Sequence, residues 1–96
     1  MSYRFRLAKF HTCCFTVSEK ALAIFGDVFA YQRTESHFQG NWGGQDSLAQ
    51  SRNKVALQKQ TGTVVSRFKS ENSDYTLVIE SNLDEDYTLV AVEDDN

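Results

Sequence analysis

The side chains here with nucleophilic or metal-binding capacity are few: Cys13, Cys14, His11 and His37. Structural zinc sites draw on ligand pairs spaced two to four residues apart, whereas Cys13 and Cys14 are adjacent and alternate to opposite faces of any strand they occupy. No metal is expected. A Cys–His nucleophile needs a thiolate held beside a base that a third group orients. His11 and Cys13 share a strand face without a visible third member, so the thiols read as small packing residues. A disulfide between neighbours would be strained, because the bond favours a wider Cα separation than adjacent residues give; free thiols fit a reducing compartment. Gly40, Gly43 and Gly44 match neither the phosphate-loop nor the dinucleotide-binding spacing. These residues point to binding without catalysis and without a cofactor.

Charge is the more informative feature. Residues 1–69 hold ten bases against Glu19, Asp27, Glu35 and Asp46, a balance of +6; residues 70–96 hold nine acids and no base, and the two give the net −3. Asp84, Glu85 and Asp86 cluster at one turn, Glu93, Asp94 and Asp95 follow the last strand, and Asp74 opens an earlier one. In one reading the acids balance Arg4 and Arg6 of a first strand, as cross-strand pairs each contributing about 0.2–1 kcal/mol. In the other they form an acidic face that docks on a basic, nucleic-acid-binding surface of a larger cytoplasmic protein, the carboxylates standing in for phosphates. Small inhibitors encoded by phages and mobile elements, anti-CRISPR proteins among them, resemble this chain in size, acidity and lack of a catalytic motif. That resemblance implies a non-catalytic inhibitor, monomeric or homodimeric, with no direct binding to nucleic acid.

A different function class attaches to residues 36–46, which hold three of the five glycines and the single tryptophan. Aromatics on such a loop can stack a base or cage a small ligand, which makes His37, Phe38 and Trp42 the alternative binding residues, with Arg33, Arg52 and Lys54 as a basic rim. A Trp there also serves to close the end of a core. The third alternative is a homo-oligomeric structural protein joined through an edge strand.

The elements that position these residues follow from periodicity. Apolar residues alternate through Tyr3, Phe5, Leu7, Cys13, Phe15 and Val17, broken by Lys9 and His11; this predicts one long bent strand rather than a tight pair bending near Lys9, since no Gly or Asn marks a hairpin. Ser18 stands as N-cap of the main helix, which carries Leu22, Phe25 and Phe29 on one stripe. Gly26 either weakens that helix or ends it, with residues 28–34 then a strand. A weaker helix spans Ser47 to Lys59, with Leu48, Val55 and Ala56 inward and Gly62 just past its end. Thr63–Lys69 and the two copies of Asp-Tyr-Thr-Leu-Val, at 74–78 and 86–90, form a three-stranded meander. Its expected faces are Tyr75, Leu77, Ile79, Tyr87, Leu89 and Ala91 on one side and Val78, Val90 and Val92 on the other. The fold class is therefore α+β: an antiparallel sheet, made of the N-terminal strand and the meander, packed by one main and one weaker helix.

Ninety-six residues suit one domain with a shared core, and 41% hydrophobic and 24% charged residues are globular values. No stretch approaches a secretory core or the ~20 apolar residues of a membrane span. The expected location is cytoplasmic, bacterial or, for a viral protein, that of the host.

Overall fold

The computed structural model describes residues 10, 12–70 and 74–93. The predicted strand over Tyr3–Leu7, the bases Arg4 and Arg6, His11, and the acids Asp94 and Asp95 lie outside them. The elements run β1 (Cys14–Val17), α1 (Glu19–Phe25), α2 (Asp27–Phe38), α3 (Ser47–Lys59), β2 (Thr63–Lys69), β3 (Thr76–Asn82) and β4 (Tyr87–Val92). The four strands make one sheet in the order β1-β4-β3-β2. The meander is antiparallel as expected, but β1 runs parallel to β4, because the chain returns from β1 only after all three helices. No helix among the described residues is long and apolar enough to cross a membrane.

Ser18 caps α1 by accepting the Ala21 N–H at 3.1 Å. Gly26, at φ +82°, ends α1 and at once begins α2, so the single expected helix is two and residues 28–34 are helical. No atom lies within 4 Å of a Cβ built at Gly26; backbone conformation, not space, selects glycine there. α2 then runs on to Phe38, three residues into the segment read as loop. The break also turns α1: Ala21 is fully buried while Leu22 is 37% exposed, and Phe25 and Phe29 pack on the core of Ala21, Ala30, Phe68, Leu77, Ile79 and Val90.

α3 starts where the sequence predicts, capped by Asp46, which accepts the Ala49 N–H at 2.8 Å. Its inward residues differ. Leu48 and Val55 are exposed, and Asn53 and Ala56 are buried. The reason is that α3 packs chiefly along β2, an edge strand whose outward backbone groups need partners. Asn53 supplies both, donating to the Val65 carbonyl at 2.8 Å and accepting the Val65 N–H at 3.0 Å. Gln45 adds a second donor to the same carbonyl, and the Trp42 carbonyl accepts the Arg67 N–H. The edge is thereby closed to further pairing along these residues. Gly43 makes that approach possible: a Cβ there would stand 1.9 Å from the Arg67 carbonyl oxygen.

The faces of the meander also differ from expectation. Asn82 pairs with Tyr87 across a four-residue turn, so odd positions of β3 oppose even positions of β4. Leu77, Ile79 and Ser81 therefore share the buried face with Val92, Val90 and Thr88, and Tyr87, Leu89 and Ala91 look the other way.

Candidate functional site

The β3–β4 turn is the densest acidic feature of the described residues. The Asn82 side chain accepts the N–H groups of Asp84 and Glu85, both at 3.1 Å, which folds the turn. Asp84 then reaches across to the α3–β2 connection, accepting the Thr61 hydroxyl at 2.5 Å and the Gly62 N–H at 3.0 Å. The Thr61 hydroxyl foremost, and the Gly62 amide with it, hold the Asp84 carboxyl below the usual carboxylate range. Asp86, at φ +56°, accepts the Cys13 N–H at 2.8 Å. Glu85, between them, is exposed and makes no side-chain bond among the described residues.

The structure does not join all the predicted acids into one patch. Asp74 precedes β3 and Glu93 follows β4, so both lie at the far end of the hairpin, about 20 Å from the turn at the usual strand rise. Asp74 is exposed, and Glu93 is paired with Arg67 Nε at 3.0 Å.

The aromatic loop residues are interior. His37, Phe38 and Trp42 are 0%, 1% and 6% exposed. Trp42 packs with Ala56, Val64, Phe10, Leu57 and Leu83, its indole N–H buried without a hydrogen-bond partner among the described residues. His37 and Phe38 meet the Phe10 ring edge-on at 5.3 and 5.2 Å. None of the three offers a free ring face in this arrangement. On its outer side the loop's Gly44 and Gln45 wall a cleft of about 420 Å³ with Arg67, Lys69, Thr76 and Glu93. The basic rim is dispersed; Arg33 lies over the Phe29 and Phe68 rings, and Arg52 and Lys54 are exposed on α3.

His37 joins a row of hydroxyls that sequence reasoning missed. Its Nδ1 lies 2.5 Å from Ser66 Oγ and its Nε2 2.8 Å from Ser81 Oγ. Ser81 Oγ is 2.6 Å from Thr88 Oγ1, which is 2.7 Å from Thr12 Oγ1. Burial pushes the imidazole down to about 3. The signal was hydroxyl residues at inward strand positions, but which of them meet depends on pairing across the sheet. Cys13 and Cys14, expected to pack, are exposed free thiols; Cys14 opens β1, at the edge of the sheet, and Cys13 lies just before it. No cluster of His, Cys, Asp or Glu among the described residues could hold a metal ion.

Comparison with known protein families, curated proteins and solved structures returns no match for this chain.

Proposed function

We propose that the protein is a small non-catalytic binding protein, an inhibitor or adaptor of the kind phages and mobile elements encode, that presents the Asp84–Asp86 turn to a basic surface of a larger cytoplasmic protein. The observation that carries this reading is the turn itself: three consecutive exposed carboxyl residues, with Asp84 and Asp86 fixed by donors from two other parts of the chain and the Glu85 side chain unbonded among the described residues. Rigidly placed like charges lose little entropy on docking and steer encounter through long-range attraction. The anti-CRISPR-type role, with carboxylates occupying a nucleic-acid groove, is the finer form of the same proposal.

Charge reversal of the whole turn would also break its bonds to Thr61, Gly62 and Cys13, so the test isolates charge from scaffold. Tagged wild type and an Asp84→Asn, Glu85→Lys, Asp86→Asn variant are used to capture partners from host lysate at two salt concentrations, with a thermal melt of each. The expected result is a basic protein retained by wild type at low salt, released as salt screens the attraction, and lost by the variant, which stays folded with a melt lowered only by the charge-assisted part of its turn bonds. Equal retention of that protein by wild type and variant would sink the proposal.

The loop-centred alternative moves outward on the present geometry. A ligand of that loop would meet the Gly44–Gln45 wall and the Arg67–Glu93 pair rather than the rings of His37, Phe38 and Trp42.

A further inference from the structure

Proton counting gives the hydroxyl row a direction. Thr12 Oγ1 donates to the Cys14 carbonyl at 2.9 Å, and a carbonyl only accepts. Each hydroxyl has one proton, so Thr88 must donate to Thr12, and Ser81 to Thr88. Ser81 then has no proton left for His37, whose Nε2–H donates to it, and Nδ1 accepts from Ser66. The row runs one way from β2 to β1 and is complete with a neutral, Nε2-protonated imidazole. A second ring proton would arrive at Nδ1, where Ser66 already points its own.

The far end of this row is the segment entering β1, and that segment also covers the ring. Phe10 packs edge-on against His37 and donates its N–H to the Phe38 carbonyl at 3.3 Å. Thr12 ends the hydroxyl row, and Cys13 donates to Asp86. Lifting Phe10 and Thr12 would admit water to the imidazole while leaving the β2–β3–β4 pairing in place.

We propose that Phe10, Thr12 and β1 form an acid-released strap, closed over His37 while the imidazole is neutral and favoured open once water and a proton reach it. Among the described residues the groups packed on the ring are uncharged: Ser66 from β2, Ser81 from β3, Phe38 from α2 and Phe10 from the strap. The charged residues on those elements do not bond it. Arg67, Lys69 and Glu80 point to the opposite sheet face, and on α2 Asp27 accepts the Val28 N–H, Arg33 stacks on Phe29 and Glu35 is half-buried. Burial alone therefore holds the covered ring near 3, whereas an exposed imidazole titrates near 6.5. Because the closed form has the lowered value, its advantage is full above pH 6.5 and is lost as pH falls from 6.5 towards 3. At pH 5.0 the opening equilibrium gains a factor of about 30.

The test is amide hydrogen exchange of the full chain at pH 7.5 and 5.0, corrected for intrinsic rates, with imidazole ¹⁵N shifts recorded on the same samples. Amides of Cys14–Val17 should exchange more than about tenfold faster than those of β2 and β3 at pH 7.5, and about 30-fold faster again at pH 5.0. His37 should carry its proton on Nε2. His11→Gln should leave the acid response intact, and His37→Gln should remove it. Strap amides that exchange at the rates of β2 and β3, a response to acid that is absent or that disappears with His11→Gln, or a proton on Nδ1 would each overturn the proposal. The wild-type readings decide alone if His37→Gln does not fold.

Discussion

Two copies of one pentapeptide, Asp74–Val78 and Asp86–Val90, occupy opposite environments. Leu77 is fully buried and Leu89 is 43% exposed; Val78 is half-buried on the outer face and Val90 fully buried in the core. Thr76 lines the outer cleft, and Thr88 sits in the hydroxyl row. Asp74 is an exposed strand entry, and Asp86 takes a left-handed turn position and holds Cys13. Identical local sequence thus specifies strand but not face. The face is set by the four-residue turn, which pairs Asn82 with Tyr87 and so offsets the two copies by an odd number of positions.

The largest effect that tests this contrast is in the leucines. Leu77→Ala removes a fully buried side chain beside Ile79 and Val90 and should cost about 2–5 kcal/mol, while Leu89→Ala should stay within about 0.5 kcal/mol. Denaturant melts of the two variants measure the difference. Comparable losses would mean that the hairpin pairs in the register that puts both leucines on one face.

Much of the frame was legible because it rests on local chemistry. Ser18 caps its helix, α3 occupies its expected limits, and the meander follows from alternation and turn residues. What escaped depends on long-range placement. Gly26 is as compatible with a weakened helix as with a cap, and only the packing of Ala21 and Ala30 on the same sheet shows that the chain breaks there. Asn53 reads as a solvent-facing helix residue until the helix carrying it lies along an unpaired strand edge. Ser66, Ser81 and Thr88 become one row only after β2, β3 and β4 are in register around His37. Of the candidate acids, the Asp84–Asp86 cluster was evident in the sequence, but its separation from Asp74 and Glu93 follows from strand direction, which composition does not carry.

The threonines give the intermediate contrast. Thr88→Val keeps shape but leaves the Ser81 hydroxyl proton without its acceptor and Thr12 without its donor, both at buried positions. Leaving buried polar groups unpaired costs about 1–3 kcal/mol. Thr76→Val, on the outer face, should change stability by less than about 0.5 kcal/mol. Thermal melts at pH 7.5 check both, and Thr88→Val should also speed amide exchange in β1, since it cuts the row on the strap's side of His37. Equal melts for the two variants would show that the row contributes nothing measurable.

The smallest effect is in the aspartates, and it separates charge from geometry at the turn. Asp86→Asn retains a residue type that accepts the left-handed conformation and an oxygen that can still accept from Cys13, so only the charge-assisted part of that bond is lost. A loss below about 1 kcal/mol is expected for this exposed site. Asp86→Ala, by contrast, removes the acceptor and places a Cβ-bearing residue without a local polar side chain at φ +56°, adding about 1–2 kcal/mol of conformational cost. Asp74→Asn and Asp74→Ala should both be neutral within about 0.5 kcal/mol, because Asp74 is an exposed residue ahead of β3 rather than a turn residue. The ordering Asp86→Ala, then Asp86→Asn, then either Asp74 variant, read from melts and from exchange of the Cys13 amide, would locate the turn's contribution in its backbone conformation and its bond to the strap. Were Asp86→Asn as damaging as Asp86→Ala, the charge itself, rather than the turn's backbone conformation, would be holding Cys13.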